Sequence, residues 1–207
     1  YVANIPVHGL PYPLFVYTGI LPWNFISQAI TKSGTSLVGE SQLISKVYFP
    51  RLIIPVAAVM VPAIDLLFSF LILFGLMAWF GVVPGWQIII LPLFVLEATV
   101  LALAVSLWLS SLHVKYRDVG HTIPFLVQVW MYLSPIVYPI SVVPETWRAL
   151  YSLNPVVSVV EGFRWTVLGT EPPALDIILI SGSMLIILLF SGLIFFKNME
   201  RSFADVI

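Results

Sequence analysis

The sequence predicts an all-α integral membrane protein, and three observations support that fold class. Hydrophobic residues occupy 60% of the 207 positions. Charged residues occupy 9%, where soluble domains carry about 25%. Mean hydropathy is +1.04. A soluble fold of this length could not bury so much apolar surface, so the chain belongs in lipid, where helices satisfy their own backbone hydrogen bonds.

Five apolar runs are long enough to span a bilayer, and polar or Pro/Gly-rich breaks separate them. The predicted spans are Leu14–Ile30, Leu52–Phe80, Trp86–Leu109, Thr122–Tyr138 and Leu175–Phe196. Residues 1–207 therefore form one transmembrane domain.

Basic residues predict the orientation of these spans. If the spans alternate, only Arg148 and Arg164 lie on one side and the other seven lysines and arginines lie on the opposite side. The positive-inside rule then makes residues 31–51, 110–121 and 197–207 cytoplasmic, and residues 139–173 extracytoplasmic. An outward start without a signal peptide predicts at least one further span upstream, six in all. The alternative is an odd number of spans with an outward N-terminus.

No catalytic, metal or nucleotide motif stands out in the sequence. It contains no cysteine, no GxxxxGK[ST] phosphate loop, and neither HExxH nor GxSxG. Its three histidines are too scattered for a metal site. The net charge of −1 gives no indication of nucleic-acid binding. We therefore expect a protein without catalytic residues and without a cofactor of its own.

Two acidic residues lie within predicted spans. Asp65 and Glu97 fall near the middle of antiparallel runs, and the cost of burying a carboxylate there suggests a water-lined path. A structural hydrogen bond between helices is the alternative. Trp23 and Tyr132 are aromatic candidates for the same path, although most aromatic residues near span ends are interfacial.

Two inward loops have the composition of a docking surface. SQLISKVYFPRLIIP, residues 41–55, predicts a short helix over Ser41–Val47 followed by an aromatic and basic turn. HVKYRDVG, residues 113–120, again combines an aromatic residue with both signs of charge. Anchoring at anionic headgroups is the alternative for Lys46 and Arg51. The candidate docking residues are Ser45, Lys46, Tyr48, Phe49, Pro50, Arg51, Lys115, Tyr116, Arg117 and Asp118.

Residues 139–173 predict a helical hairpin too short to span. Pro144-Glu145 begins one helix, and a second runs from Asn154-Pro155 to Gly169. The second helix has an apolar stripe and a polar stripe, which predicts one wet face and a re-entrant position. A helix lying flat on the outer surface is the alternative. The candidate gate residues are Trp147, Asn154, Pro155, Glu161, Arg164 and Trp165.

Four segments carry a resemblance to a known family, in the same order and with matching spacing. They are LFVYTGILPWNFISQAI at 14–30, KVYFPRLIIPV at 46–56, VKYRDVGHTIPFLVQVWMYLSPIVYP at 114–139 and YSLNPVVSVVEGFRW at 151–165. The chain resembles the membrane subunits of polysaccharide-exporting ABC transporters, the type-two permeases for O-antigen, capsule and teichoic-acid polymers.

This resemblance implies a bacterial inner-membrane homodimer bound to a separate ATPase subunit, which would hold ATP and magnesium. It implies a lipid-linked glycan as cargo, docking of the ATPase at Ser41–Arg51, and closure of the channel by residues 139–173. The family's amphipathic helix and first span have no counterpart in these residues.

Three other functions remain open at this point. A permease for drugs or small lipophiles would share the spans and the motor. An intramembrane lipid-linked sugar enzyme would need acids and bases clustered at one membrane face. A membrane scaffold would need neither docking loops nor a re-entrant hairpin.

Overall fold

The computed structural model describes residues 10–46 and 49–206, and these residues are helical without a β-strand. The all-α fold class is confirmed. Tyr48 lies outside the described residues, as does the side chain of Ser45. In chain order the helices are α1 (Tyr12–Gly39), α2 (Ser41–Lys46), α3 (Ile53–Met60), α4 (Ala63–Phe80), α5 (Leu91–Lys115), α6 (Val119–Tyr132), α7 (Glu145–Tyr151), α8 (Val156–Leu168) and α9 (Leu175–Val206). Short 3₁₀ segments cover Trp86–Ile90 and Ile140–Val142.

Three stretches among the described residues are long and apolar enough to cross a membrane: Ile53–Phe80, Trp86–Lys115 and Leu175–Glu200. They coincide with the second, third and fifth predicted spans. The first of them is interrupted at Val61-Pro62, where α3 ends and α4 begins. A proline lacks the backbone N–H that a continuous helix would need there.

The other two predicted spans differ from expectation. Helix α1 has 28 residues and is about 42 Å long. It is too polar to count among the stretches that are apolar enough to cross a membrane. Helix α6 ends at Tyr132 after 14 residues, about 21 Å, so the prediction of one run through Tyr138 is wrong. The chain turns instead where Ser134 precedes Pro135, because a residue before proline disfavours helical geometry.

Helix α1 lies at the centre of the protomer and packs against α3, α4, α5, α6 and α8. Buried residues of α1 and α8, together with their apolar neighbours on the other helices, form the main hydrophobic cluster. A second cluster, with its own fully buried residues, lies at the helix ends that the positive-inside rule predicts to be cytoplasmic. We call it the cytoplasmic cluster; its buried members are Leu37, Ile44, Ile54, Leu107, Val114, Phe196 and Phe203.

The short helices begin and end where their local signals predict. Helix α2 covers most of the predicted Ser41–Val47. Pro144 immediately precedes α7. Helix α8 ends at Gly169, which adopts φ +67°, a left-handed conformation that glycine enters without strain.

Candidate functional site

The hairpin of α7 and α8 is predicted to face outward, and we call it the outer hairpin. It is organised around Arg164 of α8, whose side chain is 1% exposed. Its Nη2 donates to the carbonyl of Ile136 at 2.7 Å, and its Nη1 donates to the carbonyl of Tyr138 at 3.3 Å. Nη1 also donates to Glu161 Oε1 at 2.9 Å. The guanidinium carbon lies 3.8 Å from the ring centre of Phe15 in α1. One side chain therefore joins α8 to α1 and to the turn after α6.

The predicted wet face of α8 is wrong. Ser158 and Arg164 are each 1% exposed, and the predicted apolar stripe opposite them is buried as well. The polar side chains of Ser158 and Arg164 form hydrogen bonds with neighbouring elements, so their hydrogen-bonding groups have protein partners instead of water. Burial raises the pKa of Glu161, and the adjacent Arg164 guanidinium opposes that rise.

The approach of Arg164 to α1 depends on Gly19. A Cβ atom at this position would lie 2.6 Å from the carbonyl oxygen of Ile136 and 2.9 Å from Arg164 Nη2. Contacts that short do not occur for real Cβ atoms, so the hairpin could not seat on α1 without this glycine.

Asn154 fixes the start of α8. Its Oδ1 accepts from the backbone N–H of Val156 at 3.1 Å and from Trp130 Nε1 at 3.0 Å. Its Nδ2 donates to Ser134 Oγ at 2.9 Å and to the carbonyl of Leu133 at 3.3 Å. The predicted capping role is confirmed, and the same side chain also ties the hairpin to the end of α6.

The remaining hairpin candidates divide into exposed and buried residues. Trp147 is exposed on α7, whereas Pro155 is buried at the start of α8. Trp165 is partly buried and meets the ring of Phe94 edge-on at 6.4 Å. Among these three candidate gate residues, Trp147 is therefore the one with an exposed side chain.

The two acidic residues within spans have different environments. Glu97 of α5 is partly buried, and its Oε1 accepts from Ser158 Oγ of α8. Of the two hypotheses for Glu97, a water-lined path or a structural hydrogen bond between helices, this contact favours the hydrogen bond. Asp65 is exposed on α4, one helical turn from Ser69, whose carbonyl accepts from Tyr17 of α1 at 3.3 Å.

The two aromatic candidates for the path, Trp23 and Tyr132, differ in exposure. Trp23 is 3% exposed and meets Trp130 edge-on at 6.0 Å, so it packs between α1 and α6 rather than lining an open surface. Tyr132 at the end of α6 is 65% exposed.

A polar stripe on α1 escaped the sequence analysis. Asn24 is exposed in the protomer although it lies within the predicted span Leu14–Ile30, and Gln28 one turn later is partly exposed. Tyr17, Asn24 and Thr31 share one helix face because seven residues make nearly two turns. That spacing was readable in the sequence, but the apolar run around it dominated the prediction.

The two candidate docking loops are held close together by the cytoplasmic cluster. Ile44 and Ile54 lie in the first loop segment, Val114 lies in the second, and all three belong to this cluster. Phe49 packs against this cluster and is half-buried, unlike the exposed Pro50 beside it. The exposed candidates are Lys46, Pro50, Lys115, Tyr116, Arg117 and Asp118.

Arg51 is occupied within its own chain. Its Nη1 donates to the backbone carbonyl of Glu200, and its guanidinium lies over the ring of Phe203 at 6.0 Å. Both groups that Arg51 contacts belong to the last turns of α9, which sequence reasoning did not connect with this loop.

In the described part of the chain, no group of three or more His, Asp or Glu side chains could hold a metal ion.

Comparison with known proteins identifies the family. Residues 8–168 match the ABC-2 type transporter family. The chain belongs to that family. With three apolar helices of spanning length, it is a multi-pass membrane protein.

Individual relatives are similar over nearly the whole chain. The chain is 26% identical to an O-antigen export system permease protein of Myxococcus xanthus, over 99% of this chain and 78% of that protein. It is 27% identical to one from Klebsiella pneumoniae, over 95% of this chain and 76% of that protein. It is also 27% identical to an inner membrane transport permease of Escherichia coli K12, over 79% of this chain and 66% of that protein.

Proposed function

We propose that this chain is the permease subunit of an ATP-driven exporter that moves a lipid-linked polysaccharide, of the O-antigen, capsule or teichoic-acid type, across the bacterial inner membrane. The observation that carries the proposal is the similarity to two O-antigen export permeases, at 26% and 27% identity over 99% and 95% of the chain. The cytoplasmic cluster supports it, because it presents two loops of mixed charge as one surface on which a separate ATPase can dock.

The partner ATPase binds ATP and magnesium, and this chain contributes the membrane path. Both docking loops and the C-terminus face the cytoplasm, and the hairpin of α7 and α8 faces outward, as the positive-inside rule predicts. Two copies of the permease pair in the membrane. Exposed apolar side chains along α4 and α6 supply surface for that pairing and for lipid contact.

The path for the glycan runs beside α1. Asn24 on α1, Asp65 on α4 and Tyr132 on α6 are exposed in the protomer although each lies within a predicted span. Exposed amide and carboxylate groups are costly against lipid and favourable against water or sugar hydroxyls. Because α1 packs against both α4 and α6, its uncovered polar stripe lies between them.

The first experiment asks whether a motor is present. The tagged permease would be purified from its native membrane in mild detergent, and a Walker-motif ATPase should co-purify. Arg117→Glu and Lys46→Glu should reduce its recovery, because both side chains are exposed on the docking loops. Lys197→Glu is the matched control, since Lys197 is also exposed near the cytoplasmic end of its helix.

The second experiment identifies the cargo class. The purified complex would be assayed for ATP hydrolysis with a polyprenyl-diphosphate-linked oligosaccharide and, separately, with lipophilic drugs. Stimulation by the glycolipid alone supports the proposal. Stimulation by drugs alone would make the protein a small-lipophile exporter, and absence of any ATPase partner would overturn the transporter assignment.

A further inference from the structure

The cytoplasmic end of α9 folds against the first docking loop. We call residues 197–206 the α9 tail. Phe203 in this tail is 0% exposed and meets Phe196 edge-on at 5.6 Å inside the cytoplasmic cluster. Arg51 reaches the tail with a hydrogen bond to the carbonyl of Glu200 and a cation–π contact with Phe203. The loop and the last helix are therefore in direct contact, 149 positions apart in sequence.

This contact directs Arg51 away from any partner. Lys46 and Pro50 on the same loop are exposed, whereas Arg51 is half-buried and its guanidinium faces α9. An ATPase seated on Lys46 and Pro50 would therefore move Arg51 and α9 with the loop.

Helix α9 continues without interruption from the α9 tail to the outer hairpin. Near its outer end Ser181 is 0% exposed, and its Oγ donates to the carbonyl of Ser152 at 2.7 Å. Ser152 lies between α7 and α8. Ser181 and Phe203 are 22 residues apart, about 33 Å along a straight helix. One rigid element thus touches the docking loop at one end and the hairpin at the other.

We propose that Arg51 is a positioning residue that couples the docking loop to α9, and that α9 carries movement of the loop to the outer hairpin. Arg51 does not bind the ATPase itself. The proposal rests on the permease function proposed above and adds the route by which the cytoplasmic motor reaches the outer gate. The route needs only rigid-body displacement of one helix, a common form of coupling between distant sites.

The absence of cysteine from all 207 residues allows a direct test. A spin label on Trp147→Cys, exposed on α7, reports movement of the hairpin. The complete permease–ATPase complex would be compared with and without a non-hydrolysable ATP analogue, in otherwise unchanged protein and with Arg51→Ala, Phe203→Ala or both. Arg51→Lys is the conservative variant, and Lys197→Ala is the exposed control on the same helix.

The expected result separates binding from coupling. Arg51→Ala and Phe203→Ala should each retain the ATPase but reduce the nucleotide-dependent spectral change by about tenfold. The double variant should lose no more than either single one, because both changes break one contact. Arg51→Lys should recover part of the response, since it keeps a cationic donor, and Lys197→Ala should respond fully.

Each other outcome overturns the proposal. Loss of the ATPase with Arg51→Ala but not with Phe203→Ala would make Arg51 a docking residue. A full spectral response in the Arg51→Ala complex, or none in the unsubstituted complex with ATPase bound, would exclude this route. If Phe203→Ala does not fold, Phe203→Leu keeps the apolar packing and removes only the ring face. An unsubstituted permease that recovers no ATPase would instead refute the proposed function.

Discussion

Two arginines hold the opposite ends of this molecule in different ways. Arg164 at the outer hairpin is almost completely buried, bonds two carbonyls and a carboxylate, and stacks on Phe15 at 3.8 Å. Arg51 at the cytoplasmic face is half-buried, bonds one carbonyl, and lies 6.0 Å from the ring of Phe203. Each side chain ties separate elements together through backbone carbonyls.

The two arginines differ in the free energy that their displacement costs. A buried guanidinium with several acceptors is costly to displace, because every acceptor would lose its partner without water to replace it. A half-buried guanidinium with one acceptor costs less to displace, because water can reach the groups that it leaves. Loss of Arg164 should therefore destabilise the fold more than loss of Arg51.

The largest effect should come from Arg164→Ala. Removing this side chain leaves Glu161 and the carbonyls of Ile136 and Tyr138 without their donor, and breaking a buried ion pair typically costs about 3–5 kcal/mol. The apparent unfolding midpoint in detergent would measure the loss. Arg117→Ala, exposed in the cytoplasmic loop, is the control and should change stability by less than about 0.5 kcal/mol. Equal midpoints for the two variants would end the distinction between buried and exposed arginines.

Asn154→Ala should rank next, at about 2–3 kcal/mol, because it removes four hydrogen bonds, three of them partly buried. Asn154→Asp is the matched variant. It keeps an oxygen acceptor for Trp130 and Val156 but loses the donor to Leu133 and Ser134, so it should cost less. Thermal unfolding of the pair separates the cap from the link to α6, and an aspartate variant as unstable as the alanine variant would contradict the capping role.

Gly19→Ala tests the close approach of the hairpin to α1. The added methyl would sit 2.6 Å from the carbonyl oxygen of Ile136, and overpacking of this kind costs about 1–3 kcal/mol. Gly182→Ala on α9 is the control, because nothing lies within 4 Å of its Cβ position. That control should be neutral or stabilising, since alanine favours helix over glycine. Unfolding midpoints that fall equally in both variants would remove the steric explanation.

The smallest effect on stability should come from Arg51→Ala, about 1 kcal/mol, from one hydrogen bond and a distant cation–π contact. Its unfolding midpoint should therefore stay close to that of Arg51→Lys. A loss of stability as large as that of Arg164→Ala would contradict the proposed difference between the two arginines.

Local signals predicted much of the fold. Pro144 and Asn154-Pro155 marked where α7 and α8 begin, and Gly169 marked where α8 ends, because each acts on the backbone within a few residues of itself. The amphipathic pattern of α8 showed that its two faces differ. It could not show that both faces are covered, because the acceptors of Arg164 lie 26 and 28 positions away in a turn.

Long-range contacts explain the other misses in the candidate site. Glu97 was recognised as unusual, but its partner Ser158 is 61 positions away. Phe49 had the composition of an exposed docking residue, yet a cluster drawn from five helices half-buries it. Arg51 was assigned to a partner because the α9 tail carries no motif that indicates where it returns. Pairings of this kind depend on the assembled helices rather than on any short stretch of sequence.

The interruption at Val61-Pro62 divides one apolar stretch of spanning length into two helices, α3 and α4. Ile54 of α3 belongs to the cytoplasmic cluster, whereas Leu66 and Leu73 of α4 belong to the main cluster. Helices α5 and α9 reach both clusters as single unbroken rods. Helix α3 also reaches the main cluster, through Val59, so Pro62 falls between residues of that cluster. The proline interrupts the backbone hydrogen bonds there, and side-chain packing rather than one continuous helix joins α3 to α4.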